Sequence, residues 1–169
     1  MTATPRVGLH RYTFPASDAA AVVFDLENGG CWDKATDTGF RFSDDSTRIS
    51  GWRYSTGWAK DQKVYFVAEF SKPARGIAYL HPGEMDDSKM PRIAARYARV
   101  DFDTEEGEQL LVKVALSPVS VEGAEANLAA ELPGGDLEAT AAAAHKAWTD
   151  GLSMVKLTTE DGEGRRNFH

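Results

Sequence analysis

Gly51-Trp52-Arg53-Tyr54-Ser55-Thr56-Gly57-Trp58-Ala59-Lys60-Asp61-Gln62 leads, one residue on, into Val64-Tyr65-Phe66-Val67-Ala68-Glu69-Phe70-Ser71. The second run is β-branched and aromatic and reads as a strong strand. Pro73 ends it, because proline cannot donate to a ladder. The first run completes a strand from Thr47 to Tyr54 and then becomes a loop of turn formers around Trp58. Two strands joined by a short polar loop imply antiparallel pairing.

The same pattern repeats outward. Val7-Gly8-Leu9-His10-Arg11-Tyr12-Thr13-Phe14 stops at Pro15, and Ala20 to Leu26 follows a turn at Pro15-Ala16-Ser17-Asp18. These two runs read as a hairpin. Arg96 to Phe102 and Gln109 to Leu116 read as paired strands around Asp103-Thr104-Glu105-Glu106-Gly107, with Val100, Phe102, Leu111 and Val114 as apolar partners. His81 to Pro91 is polar and reads as a mobile loop. No alternation of strand and helix appears, so the expected fold is mostly β: an antiparallel β-sandwich with one short and one longer C-terminal α-helix. Ser120 caps the first helix, near 120–131, and Pro133-Gly134-Gly135 stops it. Asp136 caps the second, near 136–151, where Leu137, Ala141, Ala144, Trp148 and Leu152 predict one buried face. Ser153 to Thr158 reads as strand-like. One domain over 1–160 is expected, with 161–169 as a flexible tail.

The 169 residues carry a net charge of −7 and a pI near 5.1. That balance argues against nucleic acid as a partner, since phosphate binding needs a basic face. Arg92, Arg96 and Arg99 form the one basic cluster and read as a solvated strand. Cys31 is the single cysteine, so it forms no disulfide within the chain. Met1 to Pro15 lacks the apolar stretch of a signal peptide, and no run approaches the roughly 20 apolar residues of a membrane span. Localisation stays open.

Catalytic motifs are missing. His10, His81, His145 and His169 have no metal-pair spacing, and neither a nucleophile elbow nor a phosphate loop occurs. The acidic run from Asp101 fails as a calcium loop, with Glu106 at the glycine position and Val112 at the bidentate acid. Asp44-Asp45 and Asp86-Asp87 are adjacent, and adjacent side chains point apart, so neither pair suits acid–base work on a sugar. Trp52, Tyr54, Trp58 and Asp61 form the one suggestive group. Trp52 and Tyr54, two apart, share a sheet face and read as core. Trp58, in the loop, reads equally as packing or as a ring that stacks on a sugar, with Asp61 as its polar neighbour.

At this point Thr4-Pro5-Arg6-Val7-Gly8-Leu9-His10-Arg11-Tyr12-Thr13-Phe14-Pro15, the Gly51–Gln62 run, Val64-Tyr65-Phe66 and Phe70-Ser71-Lys72-Pro73 become recognisable. So do Val112 to Ala124, Asn127-Leu128, Glu131 and Ala147-Trp148. In order and spacing the chain resembles the N-terminal region of glycoside hydrolase family 92 α-mannosidases. The resemblance implies a partial N-terminal β-sandwich of a calcium-dependent, inverting exo-α-mannosidase. In that family a helical (α/α)₆ domain supplies the acid, the base and the calcium ligands, and the active site lies between the domains. Such a domain would follow residue 169, and further strands would precede Met1. The implied role is to support the helical domain around mannose-containing glycans, with calcium in the parent and none in this chain. No catalytic or metal residue is carried over, so this chain alone is expected to be inactive. Missing strands would leave an unpaired edge and exposed apolar surface. Two alternatives are a carbohydrate-binding module that does not cleave, using Trp58, and a purely structural or interaction domain.

Overall fold

The computed structural model describes residues 1–29, 32–82, 95–155 and 158–168. Its strands are β1 (Thr2–Ala3), β2 (Val7–Phe14), β3 (Ser17–Asp25), β4 (Lys34–Phe42), β5 (Arg48–Thr56), β6 (Gln62–Phe70), β7 (Gly76–Pro82), β8 (Ala95–Thr104) and β9 (Glu108–Ser117). Its helices are α1 (Val121–Glu131), α2 (Leu137–Leu152) and α3 (Gly162–Phe168). Every pairing is antiparallel. The strands form a six-stranded sheet, β1-β2-β9-β6-β5-β4, and a three-stranded sheet, β3-β8-β7. The expected sandwich is therefore present, and the β5–β6 hairpin read from the sequence lies inside the larger sheet.

Two expected pairings are corrected. β2 and β3 do not form a hairpin: β2 pairs with β9 and β3 with β8, in different sheets. Likewise β8 and β9 are not partners. Both connections are arches that cross from one sheet to the other, and they lie together, with Gly107 N donating to Phe14 O at 3.0 Å. Alternating apolar residues suit either arrangement. Here Val100 and Phe102 face Leu110 and Val112 across the core instead of lying beside them. The arch also needs Gly107 at φ 74°, a conformation that favours glycine.

The main core lies between the sheets. Phe40, Ile49, Val100 and Phe102 are fully buried, and Phe24, Phe40, Phe66, Phe70 and Phe102 meet through ring contacts of 5.2–6.2 Å. A second core covers the opposite face of the large sheet. There Val7, Leu9, Val67 and Ala115 pack under Ala124, Leu128 and Leu132 from α1 and its end. Gly51 is required where β5 passes β4, since a Cβ there would lie 2.1 Å from the Gly39 carbonyl oxygen.

Both longer helices start where the sequence places them. Ser120 accepts from Gly123 N and Asp136 from Ala139 N, satisfying otherwise orphaned donors. Glu131 then ties the end of α1 to the start of the chain. It accepts from Thr4 Oγ1 (2.6 Å) and Arg6 N (2.9 Å) and forms an ion pair with the Arg6 side chain. Asn127 Nδ2 donates to Leu116 O at 2.8 Å. The scattered residues Thr4, Arg6, Asn127 and Glu131 thus belong to one set of contacts.

The buried face expected for α2 is only half formed: none of its residues is fully buried, though Leu137 packs against the second core and Ala141 and Ala144 are half-buried. Its contacts are with β1 and β2, while Trp148 and Leu152 stay exposed. The strand-like reading of Ser153 to Thr158 also fails over its described residues, Lys156 and Leu157 lying outside them. Leu152 still belongs to α2, and Ser153, Met154 and Val155 continue as turns bonded back to Thr149, Gly151 and Leu152. Within 161–169, read as a tail, residues Gly162–Phe168 are helical, and Asp161 accepts from Glu163 N and Gly164 N at the start. Most of the His81–Pro91 loop, with Asp86-Asp87, lies outside the described residues, as do Cys31 and Arg92.

Asp44-Asp45 sits in the β4–β5 turn, and Asp45 is structural. It accepts from Ser43 Oγ (2.6 Å), Thr47 N (3.1 Å) and Thr47 Oγ1 (2.8 Å), bonds that hold its carboxyl down at about 2 from an ordinary 3.8. A depressed folded pKa gives stability that is present above the unfolded value and lost as pH falls through the folded one. The melting temperature should therefore decline between pH 3.8 and 2. Asp45→Asn should melt lower at pH 7 and show a smaller decline over that window, as thermal melts across the range will show.

Candidate functional site: the tryptophan rim

One end of the sandwich gathers the β3–β4 connection and the β5–β6 turn. Arg53, near the end of β5, organises it. Its Nε donates to Leu26 O at 2.9 Å, and its Nη1 donates to Asp33 Oδ2 at 2.5 Å. Both side chains are largely buried. Bonding from Arg53, and next from Ser55, holds the Asp33 carboxyl below its ordinary range despite its partial desolvation. The pair therefore stays ionised at neutral pH and pins the β3–β4 connection against β5.

The β5–β6 turn closes through Gly57 N donating to Ala59 O at 2.9 Å. It presents Trp58, 88% exposed, and Asp61, which pairs with Lys63 at 3.3 Å. Trp32 belongs to the same rim and is 70% exposed. Its ring edge lies 3.5 Å from where a side chain on Gly57 would begin, and the Asp33 backbone is closer still. Gly57 is thus needed for the connection and the turn to meet. Sequence reading missed Trp32 because it stands alone after Asn28-Gly29-Gly30, with no periodicity to place it.

Trp52 and Tyr54 share a face, as expected, but it is the face of β5 away from the inter-sheet core, so their reading as core is corrected. Neither belongs to a hydrophobic core cluster. Trp52 lies over Gly39 and donates from Nε1 to Asp37 Oδ2 at 2.9 Å. The Tyr54 and Tyr65 hydroxyls are 2.8 Å apart, and the Lys63 ammonium lies 5.4 Å from the centre of the Tyr54 ring. The structure brings Trp58 and Asp61 into one turn and leaves Trp52 and Tyr54 on the sheet.

The rim offers exposed indole faces beside fixed charges, a combination suited to stacking and hydrogen bonding. Among the described residues, proton donation has no candidate in the perturbed carboxyls. Asp33, Asp45, Glu69, Glu108, Glu122, Glu131 and Glu138 all lie below their ordinary range, whereas a general acid needs a raised one. Of the basic cluster, Arg96 pairs with Glu27 and Arg99 with Asp101 at 2.8 Å, while Arg92 lies outside the described residues. No helix among the described residues is long and apolar enough to cross a membrane.

Residues 1–117 match the model of the glycosyl hydrolase family 92 N-terminal domain. A GH92 α-mannosidase from Bacteroides thetaiotaomicron superposes with a TM-score of 0.80 at 30% identity, over 94% of this chain and 22% of that chain. Its complex with mannoimidazole gives 0.81 at 30%, over 95% and 22%. Another GH92 glycosyl hydrolase, ccman5, gives 0.74 at 26% identity, over 98% and 22%. This chain therefore spans about a fifth of the length of these relatives. No curated protein matches it.

Proposed function

The chain belongs to glycosyl hydrolase family 92, and from that premise we propose that it serves as the β-sandwich that supports the helical catalytic part of an α-mannosidase and walls one side of its mannose site. The superposition over 94% of this chain and only 22% of a GH92 α-mannosidase carries the reading, since it leaves most of such an enzyme elsewhere. The exposed C-terminal end of the α2 apolar stripe, at Trp148 and Leu152, agrees with a helical layer docking there. In such an enzyme, one carboxylic acid would protonate the leaving oxygen and a carboxylate would activate water, with inversion. Both groups would come from the helical part, so this chain alone releases no mannose. The family's calcium does not fit here: among the described residues no three His, Cys, Asp or Glu side chains gather to hold an ion. No step is therefore assigned to calcium in this chain.

The rim gives the chain its own share in substrate binding. Trp58 offers a face to a pyranose ring, and Asp61 accepts from a hydroxyl. Titration with α-1,2-mannobiose, followed by tryptophan fluorescence, should show weak saturable binding. Trp58→Ala should weaken it about tenfold, or about 1.4 kcal/mol. Asp61→Asn should matter less, because Lys63 and solvent already share that carboxylate. Binding unchanged by Trp58→Ala, or no binding at all, would remove Trp58 from the mannose site. Tight rather than weak binding by this chain alone would favour a stand-alone carbohydrate-binding module.

A further inference from the structure

Trp52 has no place in either core, yet it is held firmly. Its ring lies across Gly39 of β4, and its Nε1 donates to Asp37 Oδ2 at 2.9 Å. An indole laid over a glycine and anchored at its nitrogen keeps one orientation without being enclosed, and Trp52 is only half-buried. It stands on the outer face of the large sheet. There α1 packs chiefly on β9 and β6, and α2 on β1 and β2, so neither helix lies on β4.

The register continues this face toward the β4–β5 turn. Gly39 pairs with Trp52 and Arg41 with Ser50, and strand side chains alternate, so all four share the outer face. Ser50 is two residues, about 7 Å of strand, from Trp52. Between these strands and α1 a groove of about 560 Å³ opens, lined by Arg41, Asp44, Arg48, Ser50, Glu122 and Glu125. That size suits a small organic ligand.

The groove presents both signs of charge. Arg48 is tied to Glu69 at 2.5 Å, while Arg41, Asp44, Glu122 and Glu125 are exposed. The Glu122 carboxyl is held below its ordinary range first by its own backbone amide, then by the Ser120 hydroxyl, and also by the Arg41 charge. An ionic ligand would meet a like charge beside each opposite one. A neutral hydroxyl both donates and accepts, so it can use Arg41 and Glu125 together. A pyranose adds an apolar face that can lie on an indole.

We propose that Trp52 and this groove form a second saccharide site that takes a neutral oligosaccharide. One ring stacks on the Trp52 indole, and the next accepts from Arg41 and donates to Glu125. The site is separate from the tryptophan rim, which lies at the β5–β6 turn beyond the other end of β5. An extended glycan held here would be anchored away from the residue that is cleaved. The choice of mannose as its sugar rests on the family reading above.

The test is a titration of the whole chain with α-1,2-linked mannotriose, followed by assigned amide and indole NMR. The Trp52 indole and the Arg41 and Ser50 amides should shift saturably. Trp58→Ala should leave those shifts and their affinity within about twofold. Arg41→Ala and Glu125→Ala, both at exposed positions, should keep the parent's melting curve and weaken binding at the groove at least about fivefold each. Movement of the Trp58 signals with none at Trp52 and Ser50 would overturn the second site and leave the rim reading intact. Groove shifts that vanish in Trp58→Ala, or that neither Arg41→Ala nor Glu125→Ala alters, would also overturn it. So would tighter binding of trilysine to the same amides, which would mark the groove as an acidic patch for cations.

Discussion

Phe40→Ala lowers the stability of this chain by about 3–5 kcal/mol, the largest loss expected from a single side chain. Phe40 lies on β4 at 0% exposure and touches both layers, meeting Phe66 of the large sheet at 6.1 Å and Tyr79 of the small sheet at 6.0 Å. Removing the ring costs its transfer free energy and leaves a cavity between two sheets held apart by their other aromatics. The neighbours have little room to collapse. Gly39 beside it carries the Trp52 ring on the opposite face, which limits any inward shift of β4. The melting temperature should fall by roughly 10 °C. Val23→Ala, at an exposed position on β3, should change stability by less than about 0.5 kcal/mol. Thermal and urea melts of the two variants check both numbers. A Phe40→Ala protein within about 1 kcal/mol of the parent would mean that the two sheets do not share the core described.

What the sequence made legible followed from local chemistry. Alternating β-branched and aromatic residues located β2, β5, β6, β8 and β9, and Ser120 and Asp136 located both helix starts. Pairing was not legible, because an arch and a hairpin ask for the same alternation. Choosing between them depends on where Leu110 and Val112 sit relative to Val100 and Phe102 across a core. β4 escaped notice: its run Lys34-Ala35-Thr36-Asp37-Thr38-Gly39-Phe40 is broken by a register shift between Ala35 and Asp37 and by a glycine needed under Trp52. The helical spacing of α2 was real, but spacing reports a face and not what covers it.

The rim was half legible. Trp58 and Asp61 stood out because a tryptophan inside a run of turn formers has few structural uses. Trp32 and the Arg53–Asp33 pair did not, since both depend on contacts across about twenty residues. Glu131 with Thr4 and Arg6 is a longer case, because resemblance set those residues side by side before any geometry explained them.

If these residues supply the β-sandwich of a family 92 α-mannosidase and leave the chemistry to the rest of the enzyme, a large effect on activity follows. In the B. thetaiotaomicron α-mannosidase, this chain would replace the segment it superposes on, with a TM-score of 0.80. The sandwich contacts that hold its own two layers are internal, so the chimera should fold, with Trp58 and α2 left exposed to meet the rest of that enzyme. The isolated chain and the enzyme lacking the segment should both stay at background. The decisive measurement is mannose release from an α-mannoside by the three proteins side by side, with folding checked by a single cooperative melt. Release by the chimera alone is the predicted result. A folded chimera that releases nothing, or an isolated chain that turns over by itself, would contradict the account.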